Sequence, residues 1–167
     1  MFEKIMVPLD GSKLAECALP YAEKLAQSCQ PSEVVLVSVT EQVKGVTTAA
    51  EAREALRGSD KANLGEAGSG ISVTFGKLEG PAWKYLTRIR KKLQAKGIPA
   101  KCQVLIGSPA GQITKFAEEG EFDLIVMSSH GRTGPSRWAF GSVTDKVFRA
   151  SCIPVMMIRP PGCLPGF

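Results

Sequence analysis

At 167 residues, with 44% apolar and 22% charged side chains, the chain is long enough for one domain with a full hydrophobic core. No apolar run approaches the roughly 20 residues of a membrane span, and Met1–Pro8 is too short and too charged for a signal peptide, so a cytoplasmic location is expected. The formal charge of +5 comes from 21 Lys and Arg against 16 Asp and Glu, concentrated between Lys84 and Lys101. Because Ala82, Leu86, Ile89 and Leu93 mark one apolar helix face, the basic residues read as its solvated side rather than a nucleic-acid patch. The five cysteines are odd in number, scattered and without a C-x-x-C pair, which argues against a disulfide framework or a zinc site. Cys17, Cys29, Cys102 and Cys152 read as small buried or half-buried apolar residues, and Cys163 as an exposed thiol.

In chain order, Lys4–Val7 is the first strand, ended by Pro8. Ser12 to about Gln27 has a helical stripe (Leu14, Ala18, Tyr21, Ala22, Leu25) with Ser12 as N-cap, and Pro20 predicts a kink inside it. Glu33–Val39 is nearly continuously apolar, as in a strand buried on both faces. Residues 41–79 read as a long, mobile or functional loop region, with a short helix over Ala49–Leu56. A helix follows over Pro81–Lys96, with Gly97 at its C-terminal cap. Lys101–Leu105 is a strand, then comes a helix to about Glu118, a strand over Phe122–Val126, a helix over Ser142–Ala150 and a last strand over Ile153–Ile158.

Alternation of this kind predicts an α/β fold: an open, mostly parallel five-stranded sheet with helices on both faces, Rossmann-like. Residues 1–160 form a single domain in this reading, and 161–167 a C-terminal tail. Ligands of such sheets bind outside the carboxyl ends of the strands. That rule selects Pro8-Leu9-Asp10-Gly11, Val39-Thr40 and the segment after the fourth strand.

That last segment, Met127–Ser142, reads M-S-S-H-G-R-T-G-P-S-R-W-A-F-G-S. It opens from a buried strand, carries three glycines and closes on a helix start, so unpaired amides and a helix dipole face one small space. Two readings compete, an anion cradle with Arg132 as a cationic contact and a surface turn whose Gly141-Ser142 is an N-cap. Asp10 suits a ribose or a divalent cation, and equally a helix cap ahead of Ser12. His130 is the only histidine, so no metal cage of the usual kind forms around it, and a hydrogen-bonding duty is preferred to a general base. Neither the kinase-type phosphate loop nor the three-glycine dinucleotide fingerprint is present. Gly107-Ser108-Pro109 is explained by a Ser N-cap with Pro in the first turn.

Together these residues resemble the universal stress protein family, from Phe2–Ser12 through to Ile153–Ile158, with 41–79 least matched. ATP-binding members of that family carry Gly, two residues, Gly, nine residues, then Gly-Ser or Gly-Thr. Here Gly131 stands nine residues before Gly141-Ser142, and Ser128 occupies the first glycine position. The resemblance implies that Val39 contacts adenine and that Asp10 lies near ribose, phosphates and any Mg²⁺ or Mn²⁺ carried by ATP. It further implies that Gly131, Gly141, Ser142, Val143 and Thr144 cradle the phosphates, over a floor of Met127 and Ser128 beside Pro8 and Leu9, and His130 and Arg132 are grouped with that site. A homodimer through Ile153, Val155, Met156, Met157 and Ile158 is also implied. The expected function is an ATP-binding, nucleotide-responsive regulatory module with at most slow hydrolysis and no nucleic-acid or membrane partner. The rival is a dimeric interaction protein that binds no nucleotide, and an enzyme acting on a nucleotide-linked substrate ranks third.

Overall fold

The computed structural model describes residues 2–31, 33–40, 79–130 and 140–159. In chain order the elements are β1 (Lys4–Pro8), α1 (Lys13–Glu16), α2 (Leu19–Cys29), β2 (Glu33–Thr40), α3 (Glu79–Gln94), β3 (Ala100–Ile106), α4 (Pro109–Glu119), β4 (Leu124–Ser128), α5 (Ser142–Ala150) and β5 (Val155–Ile158). The strands form one parallel sheet of order β3-β2-β1-β4-β5. The expected five-stranded α/β architecture is therefore present. Chain order reverses between β1 and β4, which makes that seam the switch point of the sheet.

Side-chain alternation along the strands divides the core into two layers. Ile5, Val7, Val34, Leu36, Leu124 and Val126 pack with Ala22 and Ala26 of α2 and Leu86, Ile89 and Leu93 of α3. Met6, Val35, Val37, Ile125 and Met127 point the other way, onto Ile113 and Ala117 of α4 and Val147 of α5. Burial on both faces explains why β2 and β4 read as continuous apolar runs. The basic residues Lys84, Arg88, Lys91 and Lys92 lie on the exposed side of α3, as its periodicity requires.

Several boundaries differ from the sequence reading. The single helix expected from Ser12 is two: α1 stops at Glu16, and α2 restarts at Leu19 with Pro20 in its first turn, where a missing N–H costs nothing. β4 begins at Leu124 rather than Phe122. Phe122 packs against Phe116 at a centroid separation of 5.5 Å, and Asp123 turns its carboxylate onto the start of β1. The ladder thus runs on through Met127 and Ser128, which are strand rather than loop. Glu79 and Gly80 already belong to α3, so the loop region ends earlier than expected, and residues 41–78 lie outside the described residues. The last strand is Val155–Ile158; Ile153 precedes it in a turn closed by Ser151 Oγ, which accepts from Ile153 N at 3.0 Å. Cys152 is exposed, not half-buried, while Cys17, Cys29 and Cys102 are half-buried; Cys163 lies outside the described residues.

The Asp123 clasp fixes the amino-terminal end of the β1–β4 seam. Its Oδ2 accepts from the backbone N–H groups of Glu3 and Lys4, each at 2.8 Å, and those two bonds hold the carboxyl below its ordinary range.

Candidate functional site

Every strand-to-helix turn of a parallel sheet falls at the carboxyl edge, so the helix N-termini gather there. Between them lies a cleft of about 800 Å³, lined from β1, β2, β4 and four helices.

The β1 wall begins with Pro8 and Leu9, and Leu9 N–H donates to Val37 O at 2.7 Å. Gly11 has φ +86°, a conformation that glycine adopts without a Cβ penalty, and it turns the chain into α1. Asp10 Oδ1 accepts from Ser12 N at 2.9 Å, and Ser12 Oγ in turn accepts from Ala15 N at 3.1 Å. Asp10 therefore fixes this turn while also lining the cleft. The β2 end contributes Ser38, half-buried Val39 and Thr40. Thr40 is held from both sides: its Oγ1 donates to Leu105 O at 3.3 Å, and its O accepts from Gly107 N at 2.9 Å.

On the far wall, Met127 and Ser128, each 5% exposed, are the last residues of β4. Ser128 O accepts from Thr144 Oγ1 at 2.9 Å, and Ser129 O accepts from Gly141 N at 2.8 Å. Ser129 N–H donates to Ile158 O at 2.8 Å. Those bonds lock the exit of β4, the entry of α5 and the end of β5 into one unit. Only Gln30 and Glu121 have positive φ among the described non-glycine residues, so Ser128, where the resemblance expects a glycine, carries its side chain without backbone strain. Its Oγ accepts from His130 N at 3.4 Å, and Ser129 Oγ lies 3.0 Å from His130 Nδ1, both residues being buried.

Gly141 caps α5, but no side chain does. The first intrahelical bond runs from Asp145 N to Gly141 O at 2.9 Å, so the amides of Ser142, Val143 and Thr144 precede the ladder. All three residues line the cleft. Amides in that position, at the positive end of a helix, favour an anion.

Of the site residues predicted from sequence, Pro8, Leu9, Asp10, Val39, Met127, Ser128, His130, Gly141, Ser142, Val143 and Thr144 converge on this cleft. Gly131 and Arg132 lie outside the described residues. Sequence reasoning missed the helix contributions: Pro81, Ala82 and Tyr85 of α3, and Pro109 and Ile113 of α4. Their apolar spacing looks like ordinary core; only the rule that helices start at the carboxyl edge points to them. Burial, then the neighbouring Glu16 carboxylate, push the Tyr85 phenol above its ordinary range. The described residues contain no cluster of three or more His, Cys, Asp or Glu, and Asp10 is the one carboxylate among the described cleft-lining residues.

Of the residues expected at a dimer interface, Ile153 and Val155 are partly buried against the second core layer. Ile158 is 5% exposed and faces the first layer, whereas Met156 is exposed.

Comparison with known proteins agrees with this architecture. The family model described as the universal stress protein family matches residues 1–159. A universal stress protein of Methanocaldococcus jannaschii, MJ0577, is 32% identical over 165 residues, covering 95% of this chain and 96% of that one. The solved structure of MJ0577 has a TM-score of 0.73 at 28% identity, covering 97% and 99% of the two chains. Two more distant structures share the fold. A universal stress protein in complex with cAMP has a TM-score of 0.63 at 16% identity over 95% of this chain and 97% of that one. The Arabidopsis thaliana family protein At3g01520 with AMP bound has a TM-score of 0.60 at 15% identity over 95% and 92%. With a sheet of order β3-β2-β1-β4-β5 and a match that runs almost end to end, the chain belongs to the universal stress protein family.

Proposed function

We propose that the cleft binds ATP with Mg²⁺ or Mn²⁺, and that the protein is a cytoplasmic, nucleotide-responsive regulatory module with at most slow hydrolysis. The observation that carries this reading is the first turn of α5, which no side chain caps and whose Ser142, Val143 and Thr144 line the cleft. Those amides suit phosphates, and the half-buried Val39 end of β2 offers backbone groups to a base. The cAMP and AMP carried by two structural relatives support the nucleotide class. A divalent ion fits as a passenger of the phosphates: Asp10 offers one carboxylate, too little for a protein cage. Such an ion would neutralise phosphate charge. The chain's own part is to orient the phosphates through α5 and the sugar through the β1 turn.

Isothermal titration with ATP and Mg²⁺ tests the reading. Saturable binding at micromolar to millimolar nucleotide is expected, and no heat at millimolar ATP would sink it.

In the same reading a second copy of this chain pairs along β5. That strand bonds to β4 alone within the sheet and leaves Met156 exposed, while Pro154 just before it is suited to an edge. Dimerisation without nucleotide binding is the rival reading, and the titration separates the two.

A further inference from the structure

The cleft is lined by Asp10 of the β1 turn and by Tyr85 of α3. The Tyr85 hydroxyl is fully buried and has no hydrogen-bond partner among the described residues. The Glu16 carboxylate acts on it both by charge and by a weak hydrogen-bonding approach, which falls short of hydrogen-bond geometry. Glu16 is instead engaged by Arg88, whose Nη2 donates to Oε1 at 3.2 Å, and the Arg88 guanidinium lies over the Tyr85 ring at 5.6 Å. The ring is therefore packed in place while its polar atom is left unsatisfied, a state that costs stability unless something else supplies the partner.

The chemistry of that partner follows from the neighbours. The phenol stays protonated at physiological pH and so donates. Asp10 and Glu16 both bear on it and Arg88 offsets only part of their charge, so the surroundings of the phenol disfavour a phosphate oxygen. A neutral hydroxyl has neither difficulty: it accepts from the Tyr85 O–H and donates its own proton to a carboxylate.

Resting on the nucleotide reading, we propose that Tyr85 is a specificity-determining residue that hydrogen-bonds a sugar hydroxyl of the bound nucleotide, with Asp10 on the other side. The cleft is then polar in two senses, with phosphates at the α5 amides and a hydroxylated sugar between Asp10 and Tyr85.

The test titrates the wild-type chain and Tyr85→Phe with ATP, 2′-deoxy-ATP and 3′-deoxy-ATP, and melts both proteins without ligand. The wild type should prefer ATP to at least one deoxy analogue. Tyr85→Phe should weaken ATP roughly five- to tenfold and leave that analogue unchanged, so that the preference disappears. Its ligand-free melting temperature should not fall below the wild type, because the variant loses a buried hydroxyl with no hydrogen bond of good geometry among the described residues. Unchanged ATP affinity in the variant overturns the proposal, as does an equal loss for all three nucleotides. A wild-type chain that binds none of them overturns the nucleotide reading itself, and this proposal with it.

Discussion

Ser142 offers a substitution whose effects on stability and on binding have opposite signs. It is exposed, occupies the first position of α5 and lines the cleft. Ser142→Asp places a carboxylate at the positive end of the helix, where it should stabilise the fold by about 0.3–1 kcal/mol. The same charge stands beside the amides proposed to hold phosphate. Two unit charges roughly 4 Å apart repel by about 1 kcal/mol in water and about 4 kcal/mol at the effective dielectric of a protein surface. At a factor of ten for every 1.4 kcal/mol, ATP affinity should fall between about fivefold and several hundredfold. The loss should shrink as salt is raised, since exposed charges are screened. Ser142→Asn, of the same shape but neutral, is the control and should lose much less. Denaturant melts read the stability and calorimetric titration reads the affinity. If the Asp variant binds ATP as tightly as the Asn variant, phosphate does not sit on α5 and the site assignment fails.

Other substitutions probe the scaffold around the cleft. Thr144→Val deletes the bond to Ser128 O, 2.9 Å long and 3% exposed at its donor residue, and should cost about 1–3 kcal/mol, whereas Thr144→Ser should keep ligand affinity. At Gly120 a Cβ would meet Phe122 Cε2 at 2.6 Å and Phe116 O at 2.9 Å, so Gly120→Ala should destabilise by about 1–3 kcal/mol in urea unfolding. Asp123 has a carboxyl held below its unfolded value, so its contribution is full above about pH 4 and disappears as pH falls through the folded value. Asp123→Asn should therefore be less stable than wild type at pH 7, with the gap closing below about pH 4; a gap independent of pH would refute the clasp's electrostatic role. Met156→Lys should convert the proposed dimer to monomer in sedimentation equilibrium without lowering monomer stability. Identical masses for the two proteins would remove β5 as the interface.

Much of the fold was legible because burial leaves a periodic trace. The continuous apolar run of β2 announced a strand covered on both faces, and Ser142–Ala150 emerged with the expected bounds as α5. Pro20 signalled a disturbance but not its form. A proline tolerated in a first turn makes a fresh helix start cheaper than a kinked continuation, as α1 and α2 illustrate. Phe122 misled because apolarity does not distinguish a strand residue from one packed at a helix–strand turn against Phe116. At the site, the strand ends were readable from the alternation of elements, whereas Tyr85 was not. Its position on α3 matches an ordinary core stripe, and its importance depends on a buried hydroxyl with no hydrogen-bond partner among the described residues, a property that exists only in three dimensions.

The β1–β4 seam has a mechanical side. Five registered pairs join β1 to β2 and four join β4 to β5, but only Ile5↔Leu124 and Met6↔Ile125 join β1 to β4. Asp123 fastens that seam at its amino-terminal end, and the cleft lies at the other. The two halves of the sheet therefore resemble a zip closed from one side. A ligand reaching from Asp10 to the first turn of α5 would bridge the open side and act as an additional rung. Occupancy would then be felt as stiffness across the whole sheet, slowing amide exchange at Val7 and Val126 deep in the core.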